Sequence, residues 1–194
     1  MLNTRGSRVA VLFVASSVVA TLAACSSGNA NTPAIDASTP ATPTSNMVAP
    51  TTTLSLADKA KHDALAAYLD MWQDFGNAAA TSDWQSPALG QHATGLALST
   101  LSRGLYADHY NGLVSKGNPT HQAQVSSVDT ESDTRKVIVA DCSDSTNALK
   151  YSASSGQPAN DSPGGRRQIN ATVQKQSDGS WKVADFGVQG VGTC

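Results

Sequence analysis

Glutamate is almost missing from this chain: of fifteen acidic residues fourteen are aspartate, and Glu131 is the exception. Charge of any kind is thin, at 14% of residues, and the formal net charge is only −2. No basic run or stripe exists to meet phosphates, so neither nucleic acid nor a polybasic membrane contact is expected as a partner. Aromatic residues make up 5%, which leaves few large side chains from which to build a core. The longest apolar run, Val9 to Ala20, falls short of the roughly 20 residues that a spanning helix needs. Gly-x-Ser-x-Gly is absent, and with it the usual hydrolase nucleophile elbow. His-Glu-x-x-His and other zinc spacings are absent too. No cofactor or metal is expected.

What is present begins with an address. Arg5 and Arg8 precede the apolar run, and Leu22-Ala23-Ala24-Cys25 follows it. A positive start, an apolar middle and small residues at the cut are the order of an export signal. With cysteine directly after Leu-Ala-Ala, the segment resembles a lipoprotein signal peptide, in which that cysteine is lipidated. Residues 1–24 are therefore read as the leader and Cys25 as the acylated N-terminus of the mature chain. Two acyl chains, palmitate among them, give a stable anchor where one gives marginal binding. The expected location is the outer, extracytoplasmic face of the cell membrane. Removing Arg5 and Arg8 leaves eleven bases against fifteen acids, a mature net charge of −4.

Two cysteines remain, Cys142 and Cys194. Outside the cytoplasm such a pair is expected to be oxidised; two free buried thiols are the alternative.

From Ser26 to Thr53 the chain is Thr, Ser, Pro, Ala and Asn, with Asp36 its lone charge. It cannot bury enough apolar surface to offset its chain entropy, so residues 25–54 are expected to be a disordered tether. Residues 55–194 form one domain. Ser55 reads as a helix N-cap with Asp58 in the first turn. Leu65, Tyr68, Met71, Trp72, Phe75 and Ala79 recur at three and four, predicting a long amphipathic helix to about Ala80. Its Tyr-Trp-Phe stripe is read as core packing. Shorter helices are predicted near 87–91 and 94–106. After Leu113 the period falls to two, with strands near 113–116, 121–128, 135–142, 148–152, 167–173 and 181–188. Asp178-Gly179 marks a hairpin turn. Helices first and strands later give an α+β fold of helices packed on an antiparallel sheet.

The long helix with Tyr68 and Trp72, the strand Ala171-Thr172-Val173 and the hairpin Asp178-Gly179-Ser180-Trp181-Lys182-Val183 resemble the nuclear-transport-factor-2-like family. That resemblance implies a curved, cone-like sheet. The domain also resembles a secreted and lipoprotein family of actinobacteria. The matching residues include Ser82-Asp83-Trp84, His92-Ala93-Thr94-Gly95, Asp141-Cys142 with Asp144, and Gly192-Thr193-Cys194. It implies no activity, and the cone family hosts isomerases, dehydratases and inert modules alike.

The side chains that could carry acid–base chemistry are His92, His109, His121, Asp108, Asp141 and Asp144, none at a catalytic spacing. If Cys142 points inward to a disulfide, strand alternation turns Asp141 outward and away from any pocket. His109, Arg166 and Arg167 are candidate anion or ligand contacts, the two arginines following Pro163-Gly164-Gly165 in a tight loop. The functional expectation is a non-catalytic binding or scaffolding module whose partner is an envelope protein or a small apolar ligand. The alternative is a small cone-fold isomerase or dehydratase.

Overall fold

A computed structural model of the chain describes residues 55–129, 135–159 and 164–194. The leader, Cys25 and the Thr/Pro-rich stretch lie outside these residues, as does the middle of the loop between 154 and 165. What is described is a mixed α+β domain with antiparallel sheets.

Helix α1 spans Leu56–Ala79. Ser55 caps it by accepting a hydrogen bond from the Asp58 amide at 3.0 Å, so one orphan N–H of the first turn is satisfied. Ala60, Ala64, Ala67, Tyr68 and Met71 form its buried face. Three alanines on that stripe let the helix backbone approach the sheet closely. Beyond α1 the chain turns through Ser82, whose φ of 52° is held by its hydroxyl donating to the Leu113 carbonyl. Helices α2 (Leu89–His92) and α3 (Gly95–Tyr110) follow. α3 runs a turn further than its leucine spacing predicts, because Gly104 faces open space and costs only its intrinsic propensity.

Seven strands complete the domain: β1 (Leu113–Lys116), β2 (Thr120–His121), β3 (Gln124–Asp129), β4 (Lys136–Asp144), β5 (Leu149–Ser152), β6 (Arg166–Lys175) and β7 (Trp181–Val188). β1 and β5 pair in a small sheet of their own. In the larger sheet the order is β2-β4-β6-β7, with β3 also pairing β4. β2 and β3 therefore share one edge of β4, in the registers His121↔Ser143 and Gln124↔Ala140. The single strand expected near 121–128 is thus broken at Gln122 and Ala123. Bulges at Val125/Ser127 and at Thr172/Val173 bend the strands that carry them.

Alternate residues of β4 (Val137, Val139), β6 (Ile169, Ala171, Val173) and β7 (Trp181, Val183) face α1 and form the core with it. Each fully buried valine or methionine contributes about 1.5–3 kcal/mol. The same alternation carries Asp141 and Ser143 inward, buried with 1% and 6% of their surface exposed. Cys142 lies on the opposite face, joined to Cys194 with 5.8 Å between Cα atoms. Closing that loop is worth roughly 4 kcal/mol in the chain-entropy view. The tail is held further by Gly192 N–H donating to the Arg166 carbonyl at 2.8 Å. Among the described residues no helix is long and apolar enough to cross a membrane.

Candidate functional site

The break between β2 and β3 lies opposite Asp141. There the Gln122 N–H donates to Asp141 Oδ1 at 2.7 Å and, at 3.3 Å, to the Cys142 carbonyl as well. The other carboxylate oxygen, Oδ2, receives the Tyr68 hydroxyl at 2.9 Å and His121 Nδ1 at 2.6 Å. One carboxylate thus collects three donors from α1, β2 and the break. That is the condition under which a fully buried acid is tolerated. Burial and then the neighbouring Asp141 charge push the Tyr68 hydroxyl well above the ordinary tyrosine range.

Aromatic rings enclose the dyad. Trp72 stacks on the His121 ring at 5.6 Å with planes 22° apart. Tyr68 meets both of them edge-on. Phe75 and Phe186 abut the other edges of Trp72. The Trp72 Nε1–H is buried without an acceptor in bonding geometry, although it approaches the Tyr68 oxygen closely enough to offset part of that hydroxyl's rise.

On its outer side this cluster borders a cleft of about 390 Å³. Leu69, Trp72 and Gln73 of α1 form one wall; Asn118, Pro119, Thr120 and His121 form the other. Gly117 sets the second wall, because its φ is 78° and a Cβ there would lie 2.2 Å from the Asn147 carbonyl oxygen. Asp141 holds His121 through Nδ1, and in the neutral ring that bond places the proton on Nδ1. Nε2 then carries the lone pair, and it takes no hydrogen bond from the described residues. The arrangement can accept a proton or a hydroxyl donor at one oriented nitrogen beside an aromatic and amide-lined wall.

The remaining candidates sit elsewhere. His92 bridges α2 to α1, with Nδ1 at 2.7 Å from Asp74 and Nε2 at 3.8 Å from Asp70. Asp108 pairs with Lys150 at 2.8 Å. Asp144 accepts from the Thr146 N–H at 2.9 Å, and hydrogen bonding by Thr146 holds its carboxyl below the ordinary range. His109 is exposed in the last turn of α3. Arg166 and Arg167 do not stand in a loop but open β6, on alternate faces. Arg166 directs Nε and Nη2 at Cys142 Sγ, at 3.3 and 3.2 Å. The cleft beside His121 is lined by neither His109 nor either arginine, and among the described residues no three His, Cys, Asp or Glu side chains cluster as a metal site would require.

One expectation is corrected by this geometry. Asp141 points inward, because Val137 and Val139 set the parity of β4 and the disulfide closes on the outer face. The Tyr-Trp-Phe stripe packs as expected, Tyr68 inside the core and Trp72 and Phe75 against it, and Trp72 also borders the cleft. His121 was visible in the sequence only as one of several histidines. Its partnership with Asp141, twenty residues on, depends on the strand break.

No protein-family model matches the chain, and no curated protein matches it. Among solved structures it is similar to the intermembrane space region of the chloroplast protein ARC6, at 16% identity and a TM-score of 0.48. That match covers 66% of this chain and 95% of the other. It is also similar to a ketosteroid isomerase-like protein from Erwinia carotovora atroseptica, at 14% identity and a TM-score of 0.42, covering 66% of this chain and 94% of that one.

Proposed function

We propose that this protein is a lipid-anchored, extracytoplasmic binding module of the cone-fold kind, held to the membrane through Cys25 and binding in the cleft between α1 and His121. The leader ending in Leu22-Ala23-Ala24-Cys25 supports the anchor. A long helix lying on a bulged antiparallel sheet supports the cone. The observation that carries the binding role is the His121–Asp141 pair: a buried carboxylate holds an imidazole that lines a cleft walled by Trp72. The interior is packed by Tyr68, Met71, Val137 and Val139, so binding belongs at this rim and not inside the sheet.

The test is native mass spectrometry of the protein purified from its host, with and without Trp72→Leu. A co-purifying molecule lost in the variant is the expected result; identical spectra would count against the cleft. Cys25→Ala should release the protein from membranes washed in high salt.

A second reading, a small isomerase or dehydratase, draws on the same dyad, since an aspartate-oriented imidazole is a competent general base. Turnover abolished by His121→Gln, with ligand binding intact, would favour it.

A further inference from the structure

The two ends of the disulfide on the outer face of β4 have different surroundings. Cys194 is exposed, whereas Cys142 is partly buried within the sheet. Arg166 directs Nε and Nη2 at the Cys142 sulfur, at 3.3 and 3.2 Å, so two prongs of one guanidinium converge on that atom. The other charge on this face is Asp144, opposite Arg166 in the β4–β6 register. Its carboxylate accepts from the Thr146 N–H at 2.9 Å and is held low by Thr146 more than by Arg166. Among the described residues, the remaining side chains that register and tail bring to this face beside Cys142 are the neutral Thr120, Gln168 and Thr193.

A guanidinium does little for a neutral disulfide. It acts when the bond opens, because a thiolate forming at Cys142 meets two charge-assisted donors already in place. In thiol–disulfide exchange the accessible sulfur is attacked, and the sulfur better able to carry charge leaves. Here the two requirements fall on different atoms: Cys194 Sγ belongs to an exposed residue and Cys142 Sγ lies against the cation.

We propose that this bond is a site of reversible thiol exchange, with Cys194 the position modified and Cys142 the leaving thiolate. An incoming thiolate, from a small thiol or from a cysteine of another protein, bonds to Cys194 Sγ as the Cys142–Cys194 bond breaks. The bonding pair leaves on Cys142 Sγ. The incoming sulfur is oxidised to the disulfide level and Cys142 is reduced, so no further oxidant or reductant is consumed. The tail keeps its place by other bonds: Gly192 N–H donates to the Arg166 carbonyl at 2.8 Å, and Gln168 N–H to Thr193 Oγ1 at 2.9 Å. The Thr193 hydroxyl donates in turn to the Gly190 carbonyl at 2.8 Å. Cys194 therefore stays near β4, and the Cys142 thiolate can attack the mixed disulfide and restore the original bond. The site lies across the strand from Asp141 and does not depend on the binding role of the cleft.

The experiment incubates the oxidised full chain with glutathione, standing for a small thiol, and in parallel with a short cysteine-bearing peptide, standing for a protein. Samples are quenched in acid, free thiols are alkylated, and adducts are mapped by mass spectrometry, which also separates any adduct on Cys25. The expected result is the adduct on Cys194 and the alkyl group on Cys142, with the faster reagent naming the source. Arg166→Gln, at an exposed position, should slow exchange about tenfold. In a Cys194→Ser background the same change should raise the Cys142 pKa, read from ultraviolet thiolate absorbance, and Arg166→Lys should recover part of both effects. An adduct on Cys142, no adduct on Cys194 from either reagent, or a rate and a Cys142 pKa unmoved by Arg166→Gln would overturn the proposal. The mapping on the unaltered chain stands whether or not the variants fold.

Discussion

Two histidine–aspartate pairs in this domain have nearly the same bond and opposite settings. His121 reaches Asp141 at 2.6 Å and His92 reaches Asp74 at 2.7 Å, each through Nδ1. His92 lies between helices with 30% of its side chain exposed, and its second nitrogen turns toward another acid, Asp70. Its Nδ1 ties α2 to α1, and its Nε2 stands at a longer, ion-pair distance from Asp70. Asp141 has no side-chain exposure, and His121 lines the cleft with 11% of its side chain exposed. The same two residue types make a strut between helices in one place and a buried pair at the edge of a cleft in the other. What separates them is the company of the carboxylate, not the length of the contact.

Truncating the acids should separate the pairs most widely. Asp141→Ala leaves the Tyr68 hydroxyl and His121 without their acceptor and the Gln122 N–H with only its longer bond to the Cys142 carbonyl, and should cost about 3–5 kcal/mol in urea unfolding. Asp74→Ala should cost under about 1 kcal/mol in the same assay, since water can serve His92. Equal losses would mean that burial is not what distinguishes them. Next in size is the disulfide on the outer face of β4. Cys142→Ser with Cys194→Ser should lower stability by about 2–4 kcal/mol while leaving the Trp72 indole NMR signal in place, because the bond lies on the opposite face of the strand from Asp141.

A third effect is confined to alkaline pH. The Tyr68 pKa is raised in the fold by burial and then by Asp141, so above about pH 10 the unfolded chain releases a proton that the folded chain keeps. The stability tied to this group is whole below that point and falls by about 1.4 kcal/mol per pH unit as pH climbs toward the folded value. Tyr68→Phe should flatten the slope in pH-dependent unfolding; a slope unchanged in the variant would assign it to other groups. The smallest effect belongs to the surface. Lys61 and Ser55 hold the Asp58 carboxyl below its usual range, and Thr146 does so for Asp144. Their contribution is present above about pH 4 and fades as pH falls through the folded values. Asp58→Asn should therefore shift the acid limb of the unfolding curve only slightly.

Much of the scaffold is legible in local sequence chemistry. Ser55 and Asp58 mark a helix start by local chemistry, and Asp178-Gly179 marks a turn for the same reason. The strands β1, β5 and β7 follow from alternation within a few residues. The site was not legible, and one residue shows why. Placing Asp141 required choosing which neighbour sets the parity of β4; the disulfide suggested Cys142, but Val137 and Val139 are what the core demands. His121 was harder still. Its role comes from a strand interruption and a pairing register, both settled by contacts distant in sequence.

Because the Asp141 carboxylate gathers its donors from α1, from β2 and from the interruption beyond it, no fragment of the domain holds the acceptor in place. Competence therefore arrives last. The carboxylate's three donors come together only once α1, β2 and β4 are assembled against one another.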